Sequence, residues 1–229
     1  MKPWQIKYIY IIIVLFGMNS SNLNAQRDTL IYIGDPMCSW CYGFAPEMDK
    51  ILEAFPDTPF EIIMGGLRPD GSETMMELKD FLYTHWQEVH KVSGQDFNYG
   101  ILSKTSVMYN TEPACRAVFV MGMLEPEKKY AYFKAVQKGF YVDNHLPHDE
   151  ELYGEIATHF DIDYENFMKL YRQPRTKEAV YKEFEKAERY GATGFPTVIA
   201  KINGKHFLVT QGYQKADRLI ALLKARGLQ

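Results

Sequence analysis

The stretch DPMCSWCYGFAPEM, Asp35 to Met48, decides how the rest of the chain is read. Cys38 and Cys41 stand two residues apart, beside aromatics and just ahead of a helix-like run. Such a pair is a redox couple, half of a metal site, or two inert buried thiols. Upstream, DTLIYIGD (28–35) puts Leu30, Ile31, Tyr32 and Ile33 in an unbroken apolar row, which predicts a buried central strand. Downstream, Met48, Ile51, Leu52 and Phe55 recur at helical spacing, predicting a helix from about Cys38 to Phe55 with Pro46 expected to kink it. PFEIIMGG (59–66) is the next strand, so the unit is strand, helix, strand, with the cysteines on the first helical turn.

That placement favours redox chemistry. A sulfur at a helix start faces backbone N–H groups without intrahelical partners and the positive end of the helix dipole, which favours the thiolate. Cys41, one turn deeper, can close a disulfide with Cys38 or attack a mixed disulfide formed on it. Cys38 is therefore the candidate attacking thiol and Cys41 the resolving one. A metal site wants a second ligand pair, and Cys115 and six scattered histidines supply no such spacing, so no metal is expected. His85, His90, His145, His148, His159 and His206 read as surface or packing residues. Inert thiols fit a helix start poorly.

The chain has 229 residues, 46% hydrophobic and 24% charged, which is a globular composition. Its formal charge of −3 points neither to nucleic acid nor to an anionic membrane. The first 25 residues differ from the rest. MKPWQIK carries Lys2 and Lys7 and no acid, YIYIIIVLFGM is an apolar run, and NSSNLNA follows. The run is short of the ~20 residues a membrane span needs. A secretory signal peptide over 1–25, cut after Ala25, is expected, with an uncleaved anchor as the alternative. Its removal takes the charge from −3 to −5. Three cysteines are too few for a disulfide scaffold, even in an exported chain. The expected location is outside the cytosol, in the periplasm, with no stable membrane association after cleavage.

The middle is helical. SETMMELKDFLYTHWQEVH predicts a helix capped by Ser72, and NTEPACRAVFVMGML one capped by Asn110 or Thr111. Helical runs continue to RTKEAVYKEFEKAERYG, which carries Val180, Phe184 and Ala187 on one face and stops at Gly191. Strands then return in PTVIAKI and KHFLVT, joined by Asn203-Gly204 as a hairpin turn. QKADRLIALLKARG closes as a helix burying Leu219, Leu222 and Leu223.

GATGFPTV places Pro196 just before a strand, after Gly-Phe. Together with the CxxC and the order βαβ, helices, ββα, this resembles the thioredoxin fold. The long helical insertion resembles the DsbA family, and CSWCYGFAPE with YNTEPACRAV resembles its FrnE-like branch, near the kappa glutathione transferases and hydroxychromene-carboxylate isomerases. The implied fold class is α/β, a thioredoxin fold of residues 26–66 and 191–229 around a helical insertion, 67–190. The resemblance implies that Cys38 and Cys41 are the redox pair. It makes Pro196 a cis-proline facing them and Phe195 the residue whose backbone pairs with an extended substrate. Ser39, Trp40, Thr197, Asn110 and Thr111 join the expected substrate-binding set. Trp40, helped by Tyr42, is the expected contact for apolar segments of unfolded chains, while Phe44 fits the core. Cys115 reads as a small buried residue or as a third thiol regulating Cys38.

Neither Ser39 nor Trp40 is cationic, and Asp35 opposes a thiolate if it points inward, so a weaker oxidant than DsbA is expected. The implied activity is thiol-disulfide exchange, as oxidase or protein disulfide isomerase, on unfolded or misoxidised exported proteins. The pair itself is the working group. A redox partner protein or a small thiol, with glutathione as candidate co-substrate, would reset it. The alternatives are a glutathione-dependent isomerase or transferase, whose kappa-type relatives carry serine where Cys38 stands, and a chaperone using the same apolar cleft. A monomer is expected.

Overall fold

The structure, a computed structural model, describes residues 27–104 and 106–229; the signal peptide expected at 1–25 lies outside the described residues. The sheet is built around β1 (Thr29–Gly34), which pairs in parallel with β2 (Phe60–Met64) and antiparallel with β3 (Thr197–Ile202). β3 pairs antiparallel with β4 (Lys205–Gln211), giving the order β2-β1-β3-β4. β1 is apolar from Leu30 to Ile33 because both of its faces are covered there. Leu30 and Tyr32 enter the large core, while Ile31 and Ile33 join Ile63, Ala187 and Ile199 on the other face. Asn203 and Gly204 both have positive φ, as the tight β3–β4 turn requires.

Helix α1 (Ser39–Ala54) follows β1 directly, with Cys38 as its N-cap. Pro46 inside it offers no N–H, which frees the carbonyl of Tyr42, and Gln95 Nε2 donates to that oxygen at 3.1 Å. The C-terminal helix α8 (Ala216–Ala225) packs on α1. The Glu47 carboxylate accepts from Ala216 N at 2.8 Å, tying the two together. α8 buries Leu219 and Leu223, but Leu222, expected in the core, is 37% exposed because it falls on the outer side of the helical stripe.

The insertion contributes α2 (Lys79–Ser93), α3 (Glu112–Leu124), α4 (Lys129–Tyr141), α5 (Glu150–Thr158), α6 (Tyr164–Tyr171) and α7 (Pro174–Arg189). Ser72 does not cap α2, contrary to the sequence expectation; the helix begins seven residues later. The segment before it is engaged in extended pairing, with Met75 N on Val107 O and Tyr109 N on Glu73 O. Thr74 makes the reciprocal capping exchange instead: its N–H and hydroxyl donate to Glu77 Oε2, and Glu77 N donates back. One buried cluster runs from Leu30 and Phe44 through Trp86, Phe133 and Phe167, so the insertion and the sheet share a core.

Candidate active site

Strand register assembles the site. Ile33 lies opposite Thr197, so Pro196 falls beside the end of β1, where the chain turns into the cysteine pair. The Phe195–Pro196 peptide bond is cis. The Cys38 thiol points at the Phe195 carbonyl, 3.7 Å from it. Pro196 O accepts from Gly212 N, and Thr197 Oγ1 donates to Gly194 O, which pins this loop to β4 and to itself. Gly65, just past β2, lies against the Phe195 ring, and a side chain there would collide with it.

Cys38 has extended backbone geometry, donates its N–H to Asp35 O, and accepts from Tyr42 N. Its side chain makes no cap hydrogen bond to α1; the sulfur, 5% exposed at the start of the helix, faces Phe195 O instead. Cys41 is fully buried one turn on; burial, then the neighbouring Cys38, pushes its thiol well above the usual range. All three cysteines are free thiols in this state.

Asp35 points inward beneath the pair. Its Oδ1 accepts from Met37 N at 2.8 Å and its Oδ2 from Leu67 N at 2.6 Å, joining the turn before Cys38 to the loop after β2. Burial raises its carboxyl above the ordinary carboxylate range, against the pull of these N–H groups and of Thr111. Cys115 donates its thiol proton to the same Oδ2 at 3.3 Å. Tyr109 donates its hydroxyl to Met37 O at 2.5 Å.

The remaining candidates divide by burial and by what they hold. Trp40 and Phe195 are half-buried at the rim. Trp40 packs edge-on against His85 of α2 and tilted against Tyr213, and His85 stacks on Phe81, which is 58% exposed. Ser39 and Thr197 are buried. Asn110 and Thr111 hold a loop: Asn110 Oδ1 accepts from Asp70 N and Glu112 N, and buried Thr111 accepts from Arg68 N. Tyr42 is buried, stacked on Tyr141, and Phe44 is in the core.

Sequence reasoning gave no role to Tyr213, none to Tyr109 although it opens the YNTEPACRAV run, and read His85 as a surface or packing residue; Tyr109 bonds Met37 O beside the pair, while His85 and Tyr213 pack on Trp40. Among the described residues no group of three or more metal-ligand side chains occurs, and no helix is long and apolar enough to cross a membrane.

A thiol pair at a helix start, facing a cis-proline loop, inside a sheet of this order, defines a DsbA-like thioredoxin-fold protein. Residues 29–224 match the DSBA-like thioredoxin domain family, and the chain belongs to that family. It is similar to a candidate protein disulfide isomerase from Nitrosomonas europaea (30% identity, 87% of this chain and 97% of that one, TM-score 0.80). It also shares its fold with a cytosolic disulfide reductase, DsbM, from Pseudomonas aeruginosa (22% identity, 86% and 98%, TM-score 0.71). A 2-hydroxychromene-2-carboxylate isomerase is more distant (16% identity, 87% and 94%, TM-score 0.57). A comparison with curated proteins returns no match.

Proposed function

We propose that the protein is a thiol-disulfide oxidoreductase of exported proteins, working through Cys38 and Cys41. The observation that carries this reading is the Cys38 sulfur at the start of α1, 3.7 Å from the carbonyl of the residue before a cis-proline. In the oxidising direction a substrate thiolate attacks Cys38 of the disulfide and Cys41 leaves as a thiolate. A second substrate thiolate then attacks the mixed disulfide, releasing Cys38 and oxidised substrate. In the reducing direction the order reverses, with Cys38 attacking and Cys41 resolving.

Pro196 has no N–H to offer the sulfur, so at this position the loop presents no donor, and the Phe195 carbonyl faces Cys38. Phe195, Thr197 and Ser39 shape the slot around an extended substrate segment. Trp40 gives an apolar contact of the kind unfolded chains meet. Asn110 and Thr111 support the slot from behind. The pair needs no metal and no bound cofactor; a redox partner protein or glutathione resets it. The signal-like residues 1–25 support export to the periplasm, where unfolded and misoxidised proteins are the substrates. With no cation between the cysteines and Asp35 beneath them, the potential should lie below that of DsbA.

Cys41→Ser tests the reading. It should accumulate mixed disulfides on Cys38 and stop catalysing the repair of a scrambled substrate. If repair and a glutathione-dependent isomerisation both proceed undisturbed in Cys41→Ser, the protein is an isomerase of the glutathione-using type. Titration against glutathione checks the potential, and a value as high as DsbA's would contradict the role given to Asp35.

A further inference from the structure

Buried hydroxyls in folded proteins nearly always find a partner. Most core tyrosines here obey: Tyr132 donates to Tyr153 O at 2.7 Å, Tyr153 to Pro147 O at 2.9 Å, and Tyr109 to Met37 O at 2.5 Å. Two do not: Tyr141, fully buried, and Tyr32, 1% exposed in the middle of β1, have no nitrogen or oxygen partner for their hydroxyls. The Tyr32 ring is held by Phe44, Tyr130 and Phe133, with ring centroids 5.8–6.3 Å away. The ring lies along the strand toward its C-terminal end, so a Cβ on Gly34 would stand 3.0 Å from the hydroxyl oxygen. Gly34 leaves that space open. Tyr32 stacks on Phe44, one helical turn beyond Cys41 on α1, so its hydroxyl sits where β1 turns into the cysteine loop, in the same buried cluster as the Cys41 thiol and close enough to influence it. Phenylalanine would fill the same volume without desolvating an oxygen.

We propose that the Tyr32 hydroxyl is the hydrogen-bond donor that receives the negative charge of Cys41 during exchange. This rests on the thiol-disulfide reading above and deepens it. A neutral thiol is a weak acceptor and a thiolate a strong one, so the contact between the hydroxyl and the Cys41 sulfur strengthens when Cys41 carries charge. Cys41 is the sulfur that needs help, because burial opposes its ionisation. In resolution, the Cys41 thiolate attacks Cys38. The Cys41–Cys38 bond forms, the bond from Cys38 to the substrate sulfur breaks, and the proton lost from Cys41 ends on the released substrate thiol. In oxidation the substrate thiolate attacks Cys38 and the electron pair of the broken bond goes to Cys41. The same donor serves both directions, because both pass through a charged Cys41. The other titratable groups facing this pair are Cys38, Tyr130 and Tyr141.

The test is rapid-quench mass spectrometry of the glutathione adduct formed when the reduced protein meets oxidised glutathione. Tyr32→Phe should release the adduct about ten-fold more slowly, the scale of a lost hydrogen bond to a charged group. Its release-versus-pH curve should shift to higher pH, because a thiolate without a donor forms only in more alkaline solution. Thermal stability of the reduced Tyr32→Phe protein should stay level or rise, since a hydroxyl without a nitrogen or oxygen partner has been removed. Tyr132→Phe, which deletes a bonded hydroxyl away from the thiols, should lose stability and keep the release rate. 3-Fluorotyrosine at position 32, a stronger donor of nearly the same size, should move the pH curve down, and it decides alone if Tyr32→Phe does not fold. An unchanged release rate and pH curve overturns the proposal. If Cys41→Ser forms no adduct at all, the exchange reading itself falls, and Tyr32 with it.

Discussion

Cys38 and Cys115 both sit where a helix begins, yet they meet different neighbours. Cys38 caps α1 with its sulfur toward the Phe195 carbonyl. Cys115 lies in the first turns of α3, fully buried, with its thiol donating to the Asp35 carboxylate. Burial, then the Asp35 charge, push the Cys115 thiol well above its ordinary range. A helix start therefore does not make a cysteine reactive by itself. What faces the sulfur decides: the carbonyl before a cis-proline in one case, a buried acid in the other.

The largest expected effect is at the first thiol. Cys38→Ser should bring catalysed exchange down to the uncatalysed rate in a scrambled-substrate assay; residual turnover carried by Cys115 would break the contrast.

Next comes the acid that separates the two regions. Asp35→Ala strips the acceptor from Met37 N and Leu67 N and should destabilise the fold by about 2–3 kcal/mol in denaturant titration. The pH sign follows from the raised carboxyl. Its stabilising contribution is full below the ordinary aspartate range and is lost as pH rises through the raised value. The stability of the wild type relative to Asp35→Asn should therefore fall as pH rises, and a difference that grows with pH would contradict the burial argument.

A smaller effect belongs to the rim. Trp40→Ala should slow exchange with an unfolded protein several-fold, on the scale of about 1 kcal/mol for a half-buried aromatic contact. Exchange with a small disulfide should be nearly unchanged; equal losses on both substrates would assign Trp40 to packing with His85 and Tyr213. The smallest effect is at the other thiol: Cys115→Ala should leave exchange within about two-fold, because its hydrogen bond to Asp35 is neutral–charged and buried away from the slot. Mass mapping of the oxidised protein sharpens this, since a bridge containing Cys115 would show that the Asp35 contact opens.

Local patterning carried the reading of β1, α1, the Asn203-Gly204 turn and the strand after Pro196, because each is decided within a few residues. It failed at Ser72, where pairing with residues 107–109 holds the chain extended, and at Leu222, where the helix stripe is narrower than the run of leucines. Asp35 was legible as an acid three residues before Cys38; that it points inward came only from the structure. Tyr109, arriving from 72 residues away, was not.

Chain order and residue chemistry by themselves determined that a cysteine pair begins a helix after a buried strand, and that a Gly-Phe-Pro-Thr turn follows much later. Only tertiary structure decided which groups meet there. Antiparallel register between β1 and β3 sets Pro196 beside Cys38, the insertion delivers Cys115 and Tyr109 under the loop, and the path of the Tyr32 ring over Gly34 sets its hydroxyl in the same buried cluster as Cys41. The reason is physical: propensity and periodicity act over one or two turns of chain, whereas the surroundings of a sulfur are set by side chains that packing brings in from anywhere along it.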